Sequence, residues 1–168
     1  MTLEQLNGSP AEQADEEFLK CCGSKRWAQA MTEARPFADA AELFHKANEI
    51  WWKLSEADWL EAFRAHPKIG EKKAATSQSQ QAQNWSSQEQ AGVAAASAKI
   101  AEELAQGNRE YESRFGYIYV VCATGKSAGE MVAILKERLE NDPSTELRVA
   151  AGEQAKITRL RLEKLLNQ

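Results

Sequence analysis

The sequence predicts an all-α protein, and three observations carry that expectation. Apolar residues recur at helical rather than alternating spacing nearly everywhere outside residues 115–123. The four prolines all fall where a helix could start or stop. Three segments, at Ser55–Asp58, Ser86–Glu89 and Ser127–Glu130, have the form of a capping box. The 168 residues show no internal repeat and are read as one multi-helix domain, able to bury roughly 70% of the surface an unfolded chain exposes.

Leu3 and Leu6 open a first helix that Ser9-Pro10 interrupts. Residues 11–22 give a second, with Phe18 and Leu19 on its apolar side and Gly23 as its stop. Trp27, Ala28 and Met31 mark a short third helix, ending near Arg35-Pro36-Phe37 because the residue before a proline is pushed out of the helical region. From Asp39, the positions of Leu43, Ala47, Ile50 and Leu54 trace a core stripe that Phe44, Trp51 and Trp52 widen. Ser55–Asp58 then caps a fifth helix. On it Trp59, Phe63 and His66 follow at i, i+4 and i+7, so His66 falls on the buried side of the last turn and Pro67 forbids continuation.

Residues 71–85 are rich in Gln, Ser and Ala with only Trp85 as an anchor, and read as an excursion over the surface. Ser86–Glu89 is expected to cap a long Ala-rich helix reaching about Glu112, and Ser127–Glu130 another running to Asn141. Between them FGYIYVVCA, residues 115–123, is the one continuous apolar run. It would suit a strand but has no second strand to pair with, so it is taken as an extended lead-in, Gly116 allowing close backbone approach. Thr145–Leu166 completes the chain as a helix in which Ala151, Ala155, Ile157, Leu160, Leu162 and Leu165 interleave with Arg159, Arg161 and Lys164.

A hydrophobic share of 43%, a charged share of 27% and a formal charge of −4 describe a water-soluble protein without a basic groove for nucleic acid. Cys21, Cys22 and Cys122 form an odd set without C-x-x-C spacing, which points to buried reduced thiols rather than a disulfide framework or zinc site. No apolar run approaches the length of a membrane span, and no leader or peroxisomal signal is recognised; the expected location is the cytoplasm.

Chemistry rests on few residues. An imidazole titrates near neutrality, so His66 can exchange a proton at working pH, although the spacing alone favours a core-edge histidine capping terminal carbonyls. His45 lies on a helix face with nothing to distinguish it. Ser86 and Glu89 can be the capping box they spell, but Gln90 has no part in such a box. Arg161 stands beside an apolar stripe, which is costly for a permanent charge unless an anion, a carboxylate or solvent meets it. Spacing alone does not bring these residues together.

HPKIG at 66–70, the S-x-x-E-Q of Ser86, Glu89 and Gln90, the FGY-x-Y-V-V-C-A segment from Phe115 and K-I-x-x-L-R-L at 156–162 together resemble the OHCU decarboxylases. Trp27, Arg35-Pro36-Phe37 and Ile50-Trp51 extend the resemblance over nearly the whole chain. That family acts on 2-oxo-4-hydroxy-4-carboxy-5-ureidoimidazoline in urate breakdown. The resemblance implies an all-α fold, a homodimer, and catalysis without metal or organic cofactor. It makes His66 the catalytic acid/base, Glu89 its partner and Arg161 the clamp on substrate. Ser86 and Gln90 would bond the ureido or ring groups, Pro67 would line the pocket, and backbone amides across Tyr117, Ile118 and Tyr119 would hold a substrate oxygen. The family favours phenylalanine at 117 and 119, so the two tyrosines are expected to add hydroxyls near the site. Two rivals stand beside this reading: a helical interaction module without turnover, and the same fold acting on another ureido or β-imino acid.

Overall fold

The computed structural model describes residues 1–71, 79–93 and 96–167. Among them nine α-helices and no strand occur, as the apolar spacing predicts: α1 Leu3–Gly8, α2 Ala11–Cys21, α3 Lys25–Glu33, α4 Ala40–Lys53, α5 Glu56–Arg64, α6 Gln80–Glu89, α7 Ala98–Phe115, α8 Ala128–Arg138 and α9 Pro143–Leu166. Local chemistry sets most starts. Ser24, Asp39, Ser79, Ser97 and Ser127 each accept a first-turn amide through the side chain, and Glu130 completes the box with Ser127. At α5, Ser55 Oγ accepts from Asp58 N–H while Asp58 Oδ2 accepts from Ser55 N–H.

The chain falls into two compact units, Met1–Ala62 with Ala155–Gln168, and Phe63–Gln154. In the first, Leu6, Phe18, Trp27, Met31, Leu43 and Leu162 are fully buried, and Phe18 meets Trp27 edge-on at 5.9 Å. The indole N–H groups do not go unsatisfied: Trp27 donates to Ala47 O and Trp59 to Trp51 O, each at 3.0 Å. Arg35 closes the break between α1 and α2 by donating to Leu6 O and Ser9 O.

In the second unit α7 packs so tightly on α8 that a Cβ at Gly107 would lie 2.4 Å from Leu135 Cδ2. Residues 119–123 are buried and belong to no helix or strand. Their backbone therefore needs other partners, and Arg138 supplies one by donating to Val120 O at 2.6 Å. That guanidinium is itself buried and is balanced by Glu146 at 2.6 Å, which also accepts from Tyr111 Oη. Removing either partner of such a pair strands a charge, at a cost of about 3–5 kcal/mol.

Several expectations are corrected. Ser86–Glu89 does not cap a helix; it is the end of α6, whose cap is Ser79, seven residues earlier. Residues 80–85, read as surface excursion, are helical, with Ala82, Trp85 and Ser86 as the buried side; residues 72–78 of that stretch lie outside the described residues. The long Ala-rich helix is broken near Gly92, where a Cβ would sit 2.3 Å from Lys126 O, and α7 starts only at Ala98. Gly116 is needed for its left-handed φ of 81° at the C-terminus of α7 rather than for close approach, since a Cβ there would meet nothing within 4 Å. α8 stops at Arg138 rather than Asn141, and α9 starts at Pro143, a residue suited to the first helical position.

Candidate active site

The helix α5 closes at Arg64 rather than at His66 before Pro67, so His66 occupies the turn beyond it instead of the expected last helical turn, its N–H donating to Phe63 O at 3.1 Å. The imidazole is half-buried, and Nε2 lies 2.6 Å from Oε1 of Gln154, a fully buried amide on α9. The residues after His66 are pinned twice. Asn108 Nδ2 donates to Ile69 O and Gly70 N–H donates to Gln90 Oε1, both at 3.0 Å. Ile69 itself is anchored in the apolar core of the second unit.

Ser86, Glu89 and Gln90 form the last turn and cap of α6. Spacings of i+3 and i+4 put Glu89 and Gln90 on the same side as Ser86, one turn on. Pro67, Ser86 and Gln90 line a cleft of about 700 Å³ together with Ile69, Leu104 and Asn108. His66 and Glu89 are not among its described walls, although each is the chain neighbour of a residue that is.

Glu89 acts on the turn at 122–126. Burial above all, and then the carboxylates of Glu153 and Glu89, hold the Cys122 thiol above its ordinary value against the opposing charge of Lys126. Cys122 N–H donates to Glu153 Oε1 at 3.4 Å, and Lys126 Nζ donates to Cys122 O at 2.7 Å. The consecutive pair Glu153-Gln154 thus serves both halves of the site, Glu153 the turn that feels Glu89 and Gln154 the ring of His66.

The tyrosine side chains do not join this set. Tyr119 Oη donates to Met131 O at 2.9 Å, and the Tyr117 ring packs at 5.4 Å from Phe63 and 5.8 Å from Tyr111 with its hydroxyl buried. The Tyr119 hydroxyl therefore serves the core rather than the site, and the Tyr117 hydroxyl is buried. What Tyr117, Ile118 and Tyr119 have left to offer is backbone.

Arg161 belongs to the other unit. It is 3% exposed on α9 and donates through Nη1 to Lys20 O at 3.4 Å, at the C-terminal turn of α2, where the helix dipole favours a cation. Burial pushes the neighbouring Cys22 thiol up to about 11, with Arg161 acting in the opposite direction.

Sequence reasoning missed Asn108, Glu153 and Gln154. The signal was available for two of them: Asn108 is four residues after Leu104 and three before Tyr111, and Gln154 is three after Ala151 and three before Ile157, so each is a polar residue on an apolar stripe.

Comparison with known proteins matches residues 7–163 to the family model of OHCU decarboxylase. The uric acid degradation bifunctional protein TTL of Arabidopsis thaliana is 40% identical over 157 residues, covering 93% of this chain and 48% of the relative. The 2-oxo-4-hydroxy-4-carboxy-5-ureidoimidazoline decarboxylase of Amia calva is 32% identical over 173 residues, covering 99% of this chain and 95% of the relative. The chain spans about half the length of the Arabidopsis relative and a third of a bifunctional Bacillus relative. A crystal structure of OHCU decarboxylase in the presence of (S)-allantoin superposes with a TM-score of 0.79 at 40% identity, covering 91% of this chain and 99% of that one.

Proposed function

The chain belongs to the OHCU decarboxylase family, and we propose that it performs that family's reaction, decarboxylation of 2-oxo-4-hydroxy-4-carboxy-5-ureidoimidazoline to (S)-allantoin in urate catabolism. The observation that carries the reading is the position of Ser86, Glu89 and Gln90. With Ser79 as the cap of α6, the S-x-x-E-Q segment has no helix to start, yet Gln90 reaches the His66–Gly70 turn and binds it. Polar residues without a capping task, tied by Gln90 to the turn that carries a half-buried histidine, are what acid/base chemistry requires.

The substrate carries its carboxylate on C4, beside a C=N bond. When the bond from C4 to the carboxylate carbon breaks, the electron pair flows toward that imine, so the electron sink is part of the substrate and the reaction needs no metal or organic cofactor. Loss of CO₂ leaves a C4=C5 enol, the former imine nitrogen takes up a proton from water, and His66, partnered by Glu89, takes the C4 hydroxyl proton so that C4 becomes a carbonyl as C5 is protonated. A proton delivered to C5 from one face completes allantoin as one enantiomer. Pro67, Ser86 and Gln90 hold the ring and ureido groups, and backbone amides across Tyr117, Ile118 and Tyr119 bind a substrate oxygen. Such acid/base assistance is worth about 10² to 10⁴-fold.

Arg161 enters as the clamp on the substrate through the family resemblance, a role suited to its forked guanidinium. Arg161→Lys keeps the charge and loses the fork, so KM should rise by about tenfold or more while the melting temperature holds; an unchanged KM would leave Arg161 as a helix-end cation. The family likeness also supports a homodimer, and three buried free thiols suit a reducing cytoplasm.

The test is consumption of the substrate generated in situ from urate, followed by its ultraviolet absorbance with and without the protein. Faster loss of the substrate signal supports the reading; loss at the uncatalysed rate, with the protein folded, assigns the chain to another substrate or to binding alone.

A further inference from the structure

His66 and Gln154 are separated by 88 positions in the chain, yet Nε2 and Oε1 lie 2.6 Å apart. Gln154 is fully buried, so its amide oxygen is held where it is by the packing of α9 rather than by solvent. A carbonyl oxygen only accepts hydrogen bonds. The nitrogen facing it must therefore carry the proton, in the neutral ring as well as in the imidazolium. We propose that Gln154 is a positioning residue that fixes His66 as the Nε2–H tautomer, so that Nδ1 is the nitrogen that takes up and returns the reaction proton.

The physical gain is orientation. An imidazole can present either nitrogen as its base, and a ring free to choose spends part of its time with the wrong one. The Gln154 oxygen stabilises one tautomer and one ring angle, and it does so without a charge of its own. Asn108 and Gln90 fix the backbone just after His66 in the same way, by single bonds to Ile69 O and from Gly70 N–H. The histidine is thus held both through its ring and through the turn that carries it.

This assignment deepens the proposed function, and only its kinetic arm rests on that reading. The first experiment does not involve turnover. The chain has two histidines, and His45 is exposed, so ring-¹⁵N histidine labelling gives two spin systems, with His45 as an internal reference. Above its titration, wild-type His66 should show a protonated Nε2 and an unprotonated Nδ1. Gln154→Met, similar in length but without the carbonyl, should let His66 relax toward the tautomer mixture of His45, and Gln154→Glu, which restores an acceptor, should return it to Nε2–H. In turnover, Gln154→Met should lower kcat by about tenfold or more with a smaller effect on KM, since a misdirected base costs the chemical step rather than binding, and Gln154→Glu should recover part of the loss. A wild-type ring protonated on Nδ1 alone overturns the assignment without any variant, and so does a Gln154→Met protein with unchanged tautomer and kcat. An Nε2–H ring in a protein that leaves the substrate untouched would uphold the positioning and remove the proposed function.

Discussion

Among single residues, Glu89 separates a catalytic from a structural account most cleanly. It closes α6, whose N-terminal cap is Ser79, and its charge is felt at the 122–126 turn. Glu89→Gln keeps the shape and removes the charge; the expected result is a rate loss of about 10²-fold or more with an unchanged melting temperature. Full activity would remove Glu89 from the proton path. From the sequence His66 reads as the buried side of a helix's last turn before Pro67; it lies half-buried in the turn beyond α5. Its contact with Gln154 was not legible, because that contact exists only once α9 is folded against the turn after α5, and no local spacing encodes it. Arg161 was legible as a charge that must find compensation, and Lys20 O supplies part of it.

At the scale of elements, the starts of α4, α5 and α8 could be read directly, since Asp39, Ser55 and Ser127 precede helical apolar stripes and each bonds a first-turn group. The start of α6 could not. Its residues, Gln, Ala, Asn and Ser, present only Ala82, Trp85 and Ser86 to the interior, too short an apolar face to stand out beside the conspicuous Ser86–Glu89 spelling. Capping motifs identify a helix terminus only with a periodic face behind them. Ser79→Ala should accordingly destabilise the protein by about 1 kcal/mol in denaturant titrations. An unchanged midpoint would mean that α6 is held by packing and owes nothing to that cap. The 115–123 segment illustrates the opposite case: its apolar content foreshadows the burial of residues 119–123, while the Arg138–Glu146 pair that bonds Val120 O comes from helices that follow it.

For the molecule as a whole, all-α architecture was legible from periodicity because most helices bury one stripe and expose the rest. The family followed from spaced motifs rather than from architecture. Acid stability belongs to this scale too. Asp142 accepts from Thr145 Oγ1, Thr145 N–H and Ser144 Oγ at the start of α9, and these bonds draw its carboxyl from 3.8 down to about 2. A folded value below the unfolded one means that the contribution is complete above about pH 4 and is lost as pH falls toward 2. Asp142→Ala should therefore melt below wild type at pH 7, with the gap closing between pH 4 and 2; a gap independent of pH would show that the carboxylate charge contributes nothing.

His66 is proposed to drive a stereospecific decarboxylation, and that role decides the rest. It is tested most directly by circular dichroism of urate turned over by urate oxidase and hydroxyisourate hydrolase, with wild-type protein, with His66→Ala, and with neither. Rapid growth of the (S)-allantoin signal is expected with wild type, and a rate about 10² to 10⁴-fold lower with folded His66→Ala. Equal rates for the two proteins would contradict the role of His66, and a wild-type signal growing no faster than the protein-free control would contradict the function itself.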